Sequence, residues 1–511
     1  MTSNVPSAAT RPQPRLVKGF RDVFSSDLAL KQRLIETVRG VYERYGYVPL
    51  ETPGVEFVDV LGKFLPESAT PAGGIFAFRN PDAPSGGGDV GADQWLSLRY
   101  DLTAPLARVA AQYAQDLPKP FRRYQVGPVY RYEKPGPGRF REFTQFDFDA
   151  VGVSSMAADA EACCVMCDAL EALGFGPGEY AIRVNNRKVM QGVLESCGVG
   201  GAAGAMGDER AMVVLRAIDK LDRLGERGVA ELLGKGRRDE SGDFTPGAGL
   251  TSAQIEVVLG YLGAGKGGAR PATLAELERL VGGSVAGAAG IAELRQIDEL
   301  LTALEYGSDR VTFDPTIIRG LAYYTGPVFE GVITREVKGE DGQPRQFGSV
   351  YGGGRYDDLV ERFTGAKVPA TGASIGVDRM LEAMKLLTPP RPAATAQVLV
   401  IVVERERLAW YARLGQTLRR AGLRCEVYAG DGGMKQQFKY ADRMGIRYAV
   451  VAGGNELSRG VVQLKDMAAG AAASAGIASR EEWRKGEVSQ REVSEAALAD
   501  ELLRLVGQPS A

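Results

Sequence analysis

Residues 130–152 of this 511-residue chain read YRYEKPGPGRFREFTQFDFDAVG, and they gather side chains able to bind anions and to accept hydrogen bonds. Arg, Glu, Gln and Asp are interleaved with Phe, Tyr and Val on two strand-like runs, 121–132 and 141–152, joined by the Pro/Gly-rich loop EKPGPGRF. Two such runs with a loop between them predict an antiparallel hairpin. Alternate side chains of a strand share a face. Arg141, Gln145 and Asp149 therefore point one way and Phe146 and Phe148 the other, while Arg123, Gln125, Arg131 and Glu133 share a parity on the partner run. A solvated sheet face would give the same pattern. LRYDLTAP (98–105) and RGLAYYTG (319–326) add charged and aromatic side chains on further strand-like segments and favour a site. A guanidinium holds carboxylate or phosphate oxygens through a planar fork of donors and stays charged at any working pH.

What the chain lacks narrows the chemistry. It has no histidine, so Ser-His-Asp and Cys-His nucleophilic systems and His-ligated zinc are excluded. Arg, Lys, Asp, Glu, Tyr and backbone groups remain, and these suit phosphoryl or adenylyl transfer, where charge neutralisation outweighs proton transfer. GYLGAGK (260–266) has the spacing of a phosphate-binding loop, but Gly267 stands where Ser or Thr should hold a metal, and the preceding SAQIEVVLGYL reads as helix. A flexible linker is the expectation there. Cys163, Cys164 and Cys167 sit in a helix-like stretch with no fourth ligand in view, and read as small packing residues. Five scattered cysteines give no disulfide framework and fit a reducing cytoplasm.

The formal net charge of −2 hides local patches. Lys119–Glu142 carries seven Lys/Arg against two Asp/Glu, and Gln397–Met467 carries twelve against seven. Two separate basic surfaces in a slightly acidic protein are the footprint of a polyanion that touches two places. No apolar run approaches the roughly 18 residues that a membrane span needs.

These residues need elements to hold them. The stretch 26–46 has helical spacing, with Ser26 as cap and Gly46 as stop. The hairpin implies an antiparallel core sheet, because an all-parallel sheet would need helical crossovers. The expected organisation is a disordered leader over 1–17 and an α+β domain with an antiparallel sheet over 18–387, carrying an inserted helical module at about 185–310. A linker follows over 388–396, then a small α/β domain over 397–481 and an acidic tail over 482–511.

The hairpin resembles motif 2 of the class II aminoacyl-tRNA synthetases: Arg-x-Glu, a loop, Arg, then a second strand. LETPGVEF with Pro53 is similar to motif 1 and ASIGVDRM (373–380) to motif 3, whose arginine is Arg379. RGLAYYTGPVFE resembles the signature peptide of the histidyl-tRNA synthetases, and GGGRYDDLV and NNRKVMQGVLE fit that family. Ala322 departs from it, since the family usually carries an acidic residue there.

The resemblance implies a ligase that activates L-histidine with ATP, with Mg²⁺ on the β- and γ-phosphates and no dedicated protein cage for the metal, and then charges tRNA(His). It implies a cytoplasmic homodimer built on motif 1, a catalytic domain of class II type and a C-terminal α/β domain that grips the anticodon. Arg131 and Arg319 would stabilise the reacting phosphate, while Glu133, Arg139 and Arg379 would position ATP. Asp101, Thr103 and Gln145 would take the α-amino group, with Asp149, Tyr323 and Tyr324 reading the imidazole. A histidine-binding regulator without catalysis and another class II synthetase remain as alternatives.

Overall fold

The computed structural model describes residues 13–61, 74–83, 92–136, 139–199, 209–238, 242–317, 324–338, 344–345, 348–387, 395–469 and 490–507. The chain divides into two compact units, one of residues 1–22 and 31–388, the other of 23–30 and 389–511. Arg319, Ala322 and Tyr323, together with most of the expected leader and linker, lie outside the described residues. No helix among the described residues is long and apolar enough to cross a membrane.

The first unit is built on an eight-stranded sheet. In chain order its elements are α1 (Ser25–Arg44, of which residues 31–44 belong to this unit), β1 (Val48–Pro49), α2 (Thr103–Gln112), β2 (Phe121–Tyr130), β3 (Glu142–Val151), α3 (Ala157–Ala172) and β4 (Tyr180–Asn186). There follow α4 (Val285–Ala303), β5 (Val311–Phe313), β6 (Pro327–Ile333), β7 (Ser349–Arg355), β8 (Ala370–Gly376) and α5 (Val377–Leu387). The strand order is β1-β2-β3-β8-β7-β6-β4-β5. The six central strands pair antiparallel, as the hairpin implies, but both edges are parallel: β1 on β2 and β5 on β4. The long chain between β4 and β5 supplies the crossover that a parallel pair requires.

α1 forms because Leu34, Val38, Val41 and Tyr42 recur on one helical face and are all buried. Gly46, at φ +77°, ends it in a conformation other residues resist. The helix covers the apolar face of the hairpin, where the Tyr42 ring meets Phe146 and Phe148 with centroids 4.8 and 4.9 Å apart. Each such fully buried side chain contributes about 1.5–3 kcal/mol. The opposite face is left to polar residues.

Residues 187–303 are mainly helical, as expected of the insertion, but they do not make a separate core. Leu294, Ile297 and Leu301 of α4 share one apolar cluster with Ile182, Val184 and Val328 of the sheet. The GYLGAGK segment is the end of a helix, Ser252–Gly263, and a tight turn rather than a flexible linker; a Cβ on Gly265 would stand 2.8 Å from the Phe313 carbonyl. Cys163, Cys164 and Cys167 are buried in that cluster, and burial raises their thiol pKa values, that of Cys164 to about 12.

The second unit carries a five-stranded sheet. Its elements are β9 (Val398–Val402), α6 (Leu408–Arg420), β10 (Cys425–Val427), α7 (Met434–Met444), β11 (Tyr448–Ala452), β12 (Val461–Asp466), β13 (Gln490–Ser494) and α8 (Leu498–Val506). β10, β9 and β11 run parallel, and β12 and β13 add antiparallel. β9 is buried on both faces, which explains its unbroken VLVIV. The expected tail is corrected here: β13 extends the sheet, and Leu498 and Leu502, one turn apart on α8, are fully buried.

Candidate active site

The polar face of the central sheet is the floor of a cavity of about 690 Å³, within the usual range for small-molecule sites. Register fixes what the floor presents. Gln145, Asp147 and Asp149 of β3 stand opposite Gly127, Gln125 and Arg123 of β2 on one side and Gly376, Ser374 and Gly372 of β8 on the other. The glycines leave the room. A Cβ on Gly372 would fall 2.3 Å from Asp149 Oδ1, and one on Gly353 would fall 2.3 Å from the Gly372 carbonyl.

Asp101, Thr103, Arg131, Glu133, Arg139, Gln145, Asp149, Tyr324 and Arg379 all line this cavity, joined by Asp147, Tyr356, Ser374 and Asp378. Arg141 does not. β3 begins at Glu142, so the side chain of Arg141 leaves the expected face, donates from Nε to the Glu133 carbonyl at 3.1 Å and lies 4.1 Å from the Tyr132 ring centroid. Arg131 likewise lies just beyond the end of β2, yet it is held in the cavity. Its Nε donates to the Tyr100 carbonyl at 3.2 Å, and its guanidinium carbon lies 4.3 Å from the Tyr100 ring centroid and 5.2 Å from that of Phe143. Such stacking fixes a cation while leaving donors for a ligand.

Arg379 sits in the first turn of α5, directly after β8. Asp378 anchors that turn: it accepts from the Thr144 backbone N–H of β3 and pairs with Arg21 at 2.6 Å. Arg379 itself donates to the Ser349 carbonyl. Asp101 accepts from the Ala104 backbone N–H at 2.9 Å, tying its carboxylate to the start of α2. Gln145 Nε2 donates to Ser374 Oγ at 2.7 Å, and its carbonyl oxygen is buried without a hydrogen-bond partner.

The deep end is anionic. Asp149 accepts from the Tyr356 hydroxyl and stands 2.8 Å from Arg123, an arginine with no exposed surface. Arg123 is aligned on the Leu102 carbonyl at 3.0 Å, so its approach to Asp149 is a charge contact rather than an aligned hydrogen bond. Burial raises the Asp149 pKa, with Arg123 and Tyr356 opposing the rise. Burial also lifts Asp147 to about 7, opposed by Arg123 and reinforced by Asp149. The phenol of Tyr324 is raised by burial and by the nearby charges of Asp149, Asp101 and Asp147. Beneath this end Arg355 and Asp159 make a buried ion pair, and Thr371 donates to Asp159 at 2.9 Å.

The cavity thus brings guanidinium groups at 131, 139 and 379 together with carboxylates at 101, 133, 147, 149 and 378. It suits a ligand that carries phosphate or carboxylate together with cationic or hydrogen-bond-donating nitrogen. Sequence reasoning missed Asp147, Tyr356 and the role of Arg123 as counter-ion. Asp147 was signalled by its parity with Gln145 and Asp149, while Tyr356 had no local signal because β7 reaches β3 only through the sheet.

A family model described as histidyl-tRNA synthetase matches residues 19–380, and one described as anticodon binding domain matches residues 397–494. The chain is 51% identical over 498 residues to a histidine–tRNA ligase of Paracoccus denitrificans, covering 97% of this chain and 98% of that one. It is 52% identical over 493 residues to one of Cereibacter sphaeroides, covering 96% and 97%. Among solved structures, the histidyl-tRNA synthetase of Nostoc superposes with a TM-score of 0.70 at 28% identity, covering 97% of this chain and all of that one. A Bacillus halodurans structure described as an ATP phosphoribosyltransferase regulatory subunit/histidyl-tRNA synthetase shares the fold, with a TM-score of 0.63 at 23% identity, covering 84% of this chain and 97% of that one. By the extent of these matches, the chain belongs to the histidyl-tRNA synthetase family.

Proposed function

We propose that the protein is a histidine–tRNA ligase: it activates L-histidine with ATP to histidyl-adenylate and transfers the histidine to the 3′ end of tRNA(His). The observation that carries this reading is the one cavity lined both by arginines from the hairpin and from α5 and by carboxylates on the strand floor.

In the first step a carboxylate oxygen of histidine attacks the α-phosphorus, a bond to phosphorus forms, and pyrophosphate leaves. Two anions must approach. At 4 Å and an effective dielectric near 20 their repulsion is about 4 kcal/mol, which bidentate guanidinium groups offset. Arg131 bridges the carboxylate and the α-phosphate, Arg319 stabilises the charge that develops on that phosphate, and Arg379 clamps the nucleotide. Glu133 and Arg139 position the adenine end and the γ-phosphate. Asp101, Thr103 and Gln145 take the α-amino group, and Asp149, Tyr324 and Tyr323 read the imidazole. In the second step a hydroxyl at the 3′ end of the tRNA attacks the acyl carbon and AMP leaves.

Mg²⁺ enters with ATP. There it would be held mostly by the β- and γ-phosphates and water, as a hard cation that keeps much of its hydration shell. The assembly is a cytoplasmic homodimer, and the second unit takes the anticodon. The regulator alternative is not favoured, because the match to the ligases spans nearly the whole chain and includes the anticodon-binding domain. Pyrophosphate exchange across the twenty amino acids tests the reading. Histidine alone should support exchange, and Arg131→Ala should reduce it by about 10²–10³, the usual loss of one transition-state donor. Exchange with another amino acid, or none with histidine, overturns it.

A further inference from the structure

Arg21 has no role in the scheme above, yet it touches two chain segments that each adjoin an arginine of the cavity. Its guanidinium carbon lies 3.9 Å from the ring centroid of Phe140, the residue after Arg139. Its Nη2 stands 2.6 Å from Oδ1 of Asp378, the residue before Arg379, and its Nη1 stands 3.5 Å from Glu382, one turn further along α5. Phe140 and Asp378 line the cavity together with Arg139 and Arg379, whereas Arg21 does not.

The loop that carries Arg139 needs such a hold. Its two strands stop at Tyr130 and Glu142, so residues 133–140 lie beyond the ladder, and ordering them costs conformational entropy that other contacts must offset. The segment before α1 supplies those contacts. The Gly19 carbonyl accepts from the Arg141 backbone N–H at 2.8 Å and the Lys18 carbonyl from Arg141 Nη1 at 3.3 Å. The approach is close: Gly19 has φ +90°, and a Cβ there would stand 2.8 Å from Arg141 Cγ. The Phe20 ring meets that of Phe76, and Phe76 meets Tyr132, with centroids 5.9 and 5.4 Å apart. At the other contact, Asp378 is 7% exposed and is fixed by the Thr144 backbone N–H and by Lys31 at 3.8 Å. Arg21 thus joins a loop without ladder bonds to a helix start that is already pinned to β3.

We propose that Arg21 is a positioning residue for ATP: by stacking on Phe140 and pairing with Asp378 and Glu382 it holds the hairpin loop and the start of α5 in one geometry, so that Arg139 and Arg379 meet the nucleotide already aligned. Order set before binding need not be created by binding, and affinity rises accordingly. The Arg21 side chain is 24% exposed, so its ion pairs add little to the stability of the fold, and its loss is felt at the nucleotide. The inference rests on the cavity being the ATP site of the ligase.

The test is Arg21→Met, with Arg21→Lys, Phe140→Leu and the double variant Arg21→Met/Phe140→Leu, all in the full-length protein. Pyrophosphate exchange gives KM for ATP and for histidine, and thermal melting reads the ligand-free fold. Arg21→Met should raise the ATP KM by about 3- to 30-fold, the combined range of a partly exposed ion pair and a cation–aromatic contact. The histidine KM and the melting temperature should not change. Arg21→Lys keeps the charge but not the planar fork, and its ATP KM should fall between those of the wild type and Arg21→Met. In the double variant the rise should be smaller than the product of the two single rises, because both substitutions delete one shared contact. A wild-type ATP KM in either Arg21 variant overturns the inference, as does an equal rise in both KM values with a lower melting temperature, or a fully multiplicative double variant. If the wild type exchanges with histidine and Arg131→Ala reduces that exchange while Arg21→Met leaves the ATP KM unchanged, this inference alone fails. If the wild type does not exchange with histidine, the ligase reading fails and the inference falls with it.

Discussion

Gly372→Ala probes the floor of the cavity with the addition of one methyl group. The new Cβ would stand 2.3 Å from Asp149 Oδ1 and 2.4 Å from the Phe148 carbonyl oxygen, where ordinary contact begins near 3.4 Å. The strand cannot step aside, because β8 is hydrogen-bonded to β3 on one side and β7 on the other. The neighbours must therefore open by about 1 Å, and overpacking of this kind costs about 1–3 kcal/mol. Part of that appears as lost stability. The rest appears at Asp149, which is pushed off Tyr356 and Arg123. If half the cost falls on substrate binding, the histidine KM rises about 2- to 13-fold, at 1.4 kcal/mol per decade. Pyrophosphate exchange at varied histidine, with thermal melting of the same preparation, reads both parts. Gly40→Ala is the control: its Cβ meets nothing within 4 Å on helix α1, and it should stabilise the fold by about 0.5–1 kcal/mol. Wild-type KM and melting temperature in Gly372→Ala would refute the close approach of β8 to Asp149.

Tyr356→Phe deletes the hydroxyl that donates to Asp149; exchange kinetics should show the histidine KM raised by about tenfold with the ATP KM unchanged. Arg355→Met leaves Asp159 buried without its cation and should destabilise the first unit by about 3–5 kcal/mol, read by denaturant titration followed through tyrosine and tryptophan fluorescence. The pH dependence of ligand-free stability should carry the sign of raised carboxyl pKa values. Asp147 moves from 3.8 to about 7 and Asp159 from 3.8 to about 6. The folded state thus holds protons that the unfolded chain has released, and this contribution is full below about pH 4 and lost as pH rises through 6 to 7. The groups around Asp147 are Arg123 on β2, Asp149 on β3, Ser374 on β8 and Asp101 before α2, with Tyr42, Arg99 and Tyr324 packed nearby. Between pH 5 and pH 7.5 the denaturation midpoint of Asp147→Asn should fall less than that of the wild type, and parallel slopes would refute the raised pKa.

Period-two alternation was enough to place Gln145 and Asp149 on one face and Phe146 and Phe148 on the other, because a strand's faces follow from the backbone alone. The same reasoning failed at Arg141, since strand ends depend on where the ladder stops and not on the local pattern. Arg131, Glu133, Arg139 and Arg379 drew their expected roles from resemblance, and no spacing in the chain shows that residues 131 and 379 share a cavity; that follows from β3 and β8 being neighbours. The charge cluster of Arg123, Asp147 and Asp149 was legible as parity but not as chemistry, because burial of both carboxylates depends on how β8 and Tyr356 close over them. The parallel edges and the folding of residues 490–506 into the second sheet were hidden for the same reason: their partners lie far away in the sequence.

A crystal structure of the full-length protein with a non-hydrolysable histidyl-adenylate analogue tests the central claim most directly. The account predicts the α-phosphate mimic between the guanidinium groups of Arg131 and Arg319, the imidazole within hydrogen-bond distance of Asp149, and the ammonium among Asp101, Thr103 and Gln145. An analogue bound with its phosphate mimic away from both arginines, or its imidazole outside the carboxylate floor, would contradict it.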